Sequence, residues 1–306
     1  MSALSRRPEA DPLYARPAPQ RPHYATGILL DAGDFRDEQT YHRGRLANAL
    51  AALTGGGTLA GLRVSHVPGE EDVVEEIRVS AGLAADRLGR LVEVSRPACL
   101  RLERWWEATL ADDDGDTLVR ASYDNVERFV SSRAVAEAGA EDRPPLPVRA
   151  VIADVFLRFI ACENGLTPSF ASGPFDALDA VATSRLRDAY ELLLVPRDGL
   201  DDDFDGLPPP GVDLAAIADP TERRAALQDE VLDSWPASGN AGQGGTLAPL
   251  PEHPAGIDPT ALFVARVLIP VTAGTPPERD GAGVMVDNWS RRFVPSTRLL
   301  LRLVGA

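Results

Sequence analysis

The sequence predicts an α+β, strand-rich protein in which small antiparallel sheets or barrel-like modules are covered by a few helices. Three observations carry that expectation. Phe35, Tyr41, Leu46, Leu50 and Leu53 recur at helical spacing between an acidic start and a glycine stop. Short apolar runs between 58 and 94 are joined by glycine turns. Two longer runs, 148–160 and 262–271, read as strands, the first of them β-branched, apolar and buried.

Composition narrows the possibilities. A chain of 306 residues accommodates one large domain or two to three small ones. At that length roughly 75% of the unfolded surface can be buried. A net charge of -15 argues against a nucleic-acid surface, which would be basic, and suits partners with basic patches. No apolar run approaches the ~20 residues of a membrane span. Residues 1–23 lack the apolar stretch of a signal peptide, so synthesis and assembly in the cytoplasm are expected. Lysine is absent, which excludes a P-loop lysine and a lysine Schiff base. The two cysteines, Cys99 and Cys162, are too few for a disulfide framework or a four-cysteine zinc site. Their apolar, strand-like surroundings predict buried free thiols in a reducing compartment.

Taken in order, residues 1–23 are rich in proline and arginine, have no periodicity, and read as a flexible arm. Residues 24–110 read as a helix-plus-sheet module. Asp34 is the expected N-cap of its helix, with Asp37 and Glu38 in the favourable first turn. Gly55 to Gly57 supply the stop. Thr58 to Val67 reads as one strand and Val73 to Val94 as two, with a turn at Leu88-Gly89-Arg90. The helix is expected to cover this sheet, with Leu46 and Leu50 in its core. Residues 111–146 read as a helical connector, periodic over 117–138, ending in a proline-rich linker.

Residues 147–306 read as a second strand-rich module with a helical and loop insertion at 197–259. Asn164-Gly165 is expected to close the 148–160 strand, and Pro174 to open a short helix reaching Ala182. Ser184 to Val195 leads into a strand whose continuous run Leu192 to Val195 is buried on both faces. Asp219-Pro220-Thr221-Glu222 starts a helix running to about Trp235. The Gly/Pro/Ala-rich stretch 238–259 is long for a loop in a compact domain. Strands are expected at 262–271, 284–294 and 298–304.

The 24–64 stretch carries a recognisable pattern. It contains Thr26, Gly27, Leu29, Leu30, Asp34, Phe35, Glu38, Gln39, Tyr41, Arg45 and Leu46, followed by Gly57, Gly61, Leu62 and Val64. In this it resembles the N-terminal module of a family associated with phage tails and contractile injection systems. The resemblance continues through 82–86 (GLAAD), Gly89-Arg90, 184–192 (SRLRDAYEL) and 286–294 (VDNWSRRFV). It implies a structural, non-catalytic component of a baseplate or fibre attachment, with no cofactor. Its partners would be other baseplate or tail subunits and further copies of the chain, in a particle that can leave the cell. The competing classes are a carbohydrate-active hydrolase and a carbohydrate- or surface-binding module carried by such a particle.

Candidate residues are few. Asp201, Asp203 and Asp205 followed by Gly206 match the first half of a calcium loop. The second half fails, because Val212 stands where glutamate is needed and prolines 208–210 intrude, so a solvated acidic loop is expected. No H-E-x-x-H spacing, G-x-S-x-G elbow or dinucleotide fingerprint is present. Trp105 and Trp106 are adjacent and cannot share one core, so one is expected inside and the other at a domain or subunit contact. Arg185, Arg187, Arg291 and Arg292 flank apolar strands within the shared motifs. They are expected to bridge to acidic groups across strands or subunits.

Overall fold

A computed structural model describes residues 11–15, 20–140, 143–168, 181–209, 213–233, 247–281 and 283–303. The first helix, α1, spans Ala32–Thr54. Its start is a reciprocal cap between two aspartates. Asp31 Oδ1 accepts from the Gly33 and Asp34 N–H groups at 2.6 and 3.2 Å, and Asp34 Oδ2 accepts from Asp31 N–H at 2.9 Å. Asp31, three residues before the expected cap, is thus the N-cap. Gly55 ends the helix at φ +64°.

The expected burial of Leu46 does not occur. Leu46 and Leu53 are 62% and 83% exposed, Leu50 is half-buried, and Ala47 is the buried residue of α1. The reason is the closeness of approach. Gly89, at φ +80°, lies so near α1 that a Cβ there would sit 1.8 Å from the Ala47 carbonyl oxygen. Only small residues fit that contact, so the leucines turn outward. On the same side Leu13 is buried, 3.2 Å from where a Gly44 Cβ would stand, and Asp11 binds Arg43 at 3.1 Å. Residues 11–15 of the expected free arm are therefore docked.

Six short strands follow: β1 (Gly57–Gly61), β2 (Val64–Val67), β3 (Glu76–Val79), β4 (Gly82–Ala85), β5 (Leu91–Val94) and β6 (Ala98–Arg101). They form two antiparallel sheets, ordered β1-β4-β5 and β2-β3-β6. The chain changes sheet at Gly61-Leu62, both at positive φ, so 58–67 is two strands where one was expected. Likewise 73–94 holds three strands. Alternation on β6 points Ala98 and Leu100 inward and leaves Cys99 exposed, contrary to the expected buried thiol; Cys162 is half-buried, and both cysteines are free.

Next come α2 (Leu102–Asp112), α3 (Asp116–Arg120), β7 (Ser122–Asp124), a 3-10 turn at Val126–Phe129 and α4 (Ser132–Glu137). The single periodic helix expected over 117–138 is broken at Asn125, which adopts φ +53°. Ser131 restarts it, its hydroxyl accepting from Ala134 N–H at 3.1 Å.

The larger sheet contains β8 (Arg149–Pro168), β9 (Val181–Pro196), β10 (Leu262–Pro270) and β11 (Met285–Asp287). Its order is β11-β10-β8-β7, with β9 also paired to β8. β8 runs through Asn164-Gly165 to Pro168 and does not close there. The short helix expected from Pro174 lies outside the described residues, except that Val181 and Ala182 open β9. Leu192 and Leu194 pack into one apolar cluster and Leu193 and Val195 into another, as a strand covered on both faces requires. Helix α5 (Pro220–Asp233) begins at Asp219, whose Oδ1 accepts from Thr221 N–H at 2.6 Å; residues 234–246 lie outside the described set.

The carboxy-terminal expectations need two corrections. The strand expected over 284–294 is regular only at β11, because Asp287 accepts from Trp289 N–H at 2.7 Å and turns the chain. The last segment is α6 (Thr297–Leu303), where a strand was expected. Its leucines and arginines are good helix formers and it has no β-branched residue beyond Thr297. The fold is thus α+β, built on small open antiparallel sheets, and none of them closes into a barrel. One apolar cluster runs from Leu62, Val64 and Ile77 through Trp106 to Val155 and Val264, crossing the expected boundary near 146. No helix among the described residues is long and apolar enough to cross a membrane.

Candidate functional site

Several motif residues turn out to be internal fasteners. Asp86 is fully buried; its Oδ1 accepts from the Leu88 and Arg90 N–H groups, both at 2.9 Å, and Oδ2 accepts from Arg90 Nε at 2.7 Å. Burial pushes the Asp86 carboxyl up, against the pull of Arg90. Arg90 reaches on to Asp11 and Thr260, so the 86–90 turn ties together the arm, the first module and the segment leading into β10.

The 286–294 motif does the same at the other end of the chain. Asn288 Oδ1 accepts from Val64 N–H and its Nδ2 donates to Val64 O, both at 2.8 Å, completing the edge of β2. Arg291 is buried and donates to Leu62 O at 2.6 Å. Burial pulls its guanidinium down to about 10, with Asp287 opposing. Arg292 Nε donates to Glu252 Oε1 at 2.9 Å. Arg292 thus meets an acidic group within the chain, whereas Arg291 is held by carbonyl oxygens and Asn288 and by no carboxylate. The 57–64 and 286–294 segments, far apart in sequence, meet here, and Thr58 N–H also donates to Arg292 O at 2.9 Å.

The acidic loop has a similar role. Asp201 Oδ1 accepts from Asp203 and Phe204 N–H at 2.9 and 2.8 Å, and Asp205 Oδ1 from Leu207 N–H at 2.9 Å. These are turn-closing bonds. Among the described residues no three His, Cys, Asp or Glu side chains are placed to hold a metal ion. The loop presents its backbone inward: Asp205 O and Gly206 O accept from Arg266 at 2.7 and 3.2 Å. Gly206 is required because a Cβ would stand 2.0 Å from Arg197 Nη2. Arg266, fully buried, forks onto Asp154 at 2.8 and 3.0 Å, and Arg197 Nε lies 3.3 Å from the same carboxylate without hydrogen-bond alignment. Burial lowers Arg197.

The paired tryptophans also stay within the chain. Trp106 is buried, while Trp105 packs partly against the same core and donates Nε1–H to Leu194 O at 2.8 Å. The expected outward-facing member of the pair is thus anchored to β9. The second half of the long loop is likewise packed: Ala248 O and Pro259 O accept from Arg87. His253 is buried, its Nδ1 accepting from Leu250 N–H, which leaves Nε2–H to donate to Ala261 O at 2.9 Å.

What remains outward is a β-ribbon. β10 pairs with β8 only as far as Leu157, whereas β8 and β9 continue together out to Pro168 and Val181. Residues 164–168 and 184–188 are exposed. Cys162 faces Arg187 and Asn164 faces Arg185, so both arginines lie on one face of the ribbon. Among the described residues the outer edges of this ribbon pair with no other strand. Its signal in the sequence was available: the apolar run of β8 becomes polar after Ala161, and 183–191 mirrors it.

Apolar side chains are also exposed on three helices. Ile28, Leu29 and Leu30 precede α1, whose Phe35, Leu46 and Leu53 are exposed; Leu227, Val231 and Leu232 of α5 and Leu299 to Leu301 of α6 are exposed too. Sequence reasoning also missed a groove of about 760 Å³ between the 68–75 loop and Arg279, Gly281 and Gly283. In it Glu75 receives both Arg279 Nη groups at 2.6 Å and faces His66 Nε2 at 2.8 Å. Burial opposes ionisation of Glu75, but Arg279 and His66 outweigh it and hold the carboxyl below its usual range. A carboxylate held this way is an anchor and a poor proton acceptor. No protein-family model matches the chain, and no curated protein matches it either.

Proposed function

We propose that this chain is a non-catalytic structural subunit of a contractile injection system or phage-like tail particle, seated at the baseplate or a fibre attachment. The observation that carries the reading is the β8–β9 ribbon, which leaves the sheet beyond Leu157 and presents Arg185 and Arg187, with both edges unpaired among the described residues. A two-stranded ribbon is marginal in water by itself, and open edges template pairing with another chain. Such an element gains its ordering when a neighbouring subunit takes it up. The resemblance of the 24–64, 82–90, 184–192 and 286–294 segments to the tail-associated family supports the same reading. It assigns the polar motif residues at 86–90 and 286–294 to holding the subunit's shape, and the ribbon to contact.

The experiment is incorporation. Arg185→Glu with Arg187→Glu should leave the thermal midpoint unchanged, because both side chains are exposed. The same variant should be lost from particles that sediment with the parent chain. Equal incorporation of the variant would remove the ribbon from the contact.

A further inference from the structure

The start of the chain is held against α1 by a small slot. Asp11 Oδ2 accepts from Arg43 Nη2 at 3.1 Å and from Arg90 Nη1 at 3.3 Å, and the Asp11 side chain is 4% exposed. Leu13 is buried over Gly44, where a Cβ would stand 3.2 Å from Leu13 Cδ2. The segment also fixes its own shape. Asp11 Oδ1 accepts from Leu13 N–H at 3.1 Å and Asp11 O accepts from Tyr14 N–H at 3.0 Å, a turn in which Pro12 presets φ. Slot and ligand are therefore separable: two arginines and a glycine on one side, an Asp-Pro-Leu turn on the other.

The chain that joins the two does little to fix whose turn fills the slot. Residues 16–31 lie between the turn and α1, a reach of roughly 50 Å when extended. Of these, 20–31 are exposed apart from half-buried Pro22. Tyr24 donates to Glu38 Oε2 at 2.7 Å, but at the surface. A tether of this order holds its end at an effective concentration of about a millimolar. A neighbour whose turn lies within reach competes on equal terms, because the contacts it makes are the same. We propose that the slot is an exchange site: it takes the Asp11–Leu13 turn of a second copy of this chain, the two copies trading arms. The partner copy then contributes the carboxylate and the leucine that complete the site. The exchange does not rest on the particle reading, because chains in solution test it.

Disulfide trapping in full-length chains carrying Cys99→Ser and Cys162→Ala reads the exchange. A chain with both Leu13→Cys and Gly44→Cys should close on itself when dilute and run as a monomer; one that stays open contradicts the slot and overturns the proposal. A receptor with Gly44→Cys and Leu13→Asp has its own arm disabled. Mixed with a tagged Leu13→Cys donor under mild oxidation, it should give a disulfide-linked heterodimer whose yield rises with concentration. Adding Asp11→Arg to the donor should abolish the heterodimer, because like charges then meet at Arg43 and Arg90. Absence of the heterodimer overturns the proposal, and so does a heterodimer that survives Asp11→Arg, since that is random collision. A second readout leaves Gly44 unaltered. A fluorescent peptide of residues 8–16 should bind saturably to the full chain carrying Leu13→Asp, and the same peptide with Asp11→Arg should not. Equal behaviour of the two peptides overturns the exchange as well.

Discussion

Asp154 sits at the centre of a buried charge cluster. It is fully buried and is the carboxylate that faces both Arg266 and Arg197. Asp154→Ala would strand two guanidinium groups in a low-dielectric core, and removing one partner from such a set costs about 3–5 kcal/mol. Denaturant unfolding of the variant should show that loss without a large change in slope. A second residue-scale expectation concerns pH. Glu75 is held below its ordinary value of 4.5 by Arg279 and His66, against the burial that opposes them. Its stabilising contribution is therefore full above that unfolded value and is lost as pH falls through the lower folded value. The difference in thermal midpoint between the parent and Glu75→Gln should shrink as pH falls below that ordinary value of 4.5. A gap that stays constant as the solution is acidified would place the stabilisation elsewhere.

At the scale of elements, α1 decides how exposure is read. Leu46→Ala should change stability by less than about 0.5 kcal/mol, as exposed positions do. Ile77→Ala on β3, fully buried, should cost about 2–5 kcal/mol. Equal losses in the two variants would mean that α1 packs differently. The existence of α1, its glycine stop, the buried run of β8 and the two-faced burial of Leu192 to Val195 were all legible in the sequence, because local periodicity and capping chemistry determine them. The orientation of α1 was not. Helical spacing identifies an apolar stripe but not its occupant, and the close approach of Gly89 to Ala47 depends on a turn more than thirty residues away. The strand expected at 298–304 failed for a related reason: its four leucines and two arginines are good helix formers, and its one β-branched residue, Val304, stands at the end of the range.

At the scale of the whole molecule, the polar candidates divide by a property that sequence spacing does not encode. Arg291, Arg292 and the 201–206 loop are spent inside the chain, and Trp105 is anchored to Leu194 O, whereas Arg185 and Arg187 stand on a ribbon that leaves the sheet. The contact between Asn288 and Val64, 224 positions apart, joins the two ends of the motif pattern and was invisible in either segment alone. The central claim is that this chain serves as a subunit whose ribbon is taken up by a neighbour. The most direct measurement is a density map of an intact tail-like particle from cells that make the chain. The account predicts density for the chain in which the β8–β9 ribbon lies between neighbouring subunits, with Arg185 and Arg187 against acidic side chains. A particle lacking the chain, or one in which the ribbon faces solvent in every copy, would contradict it.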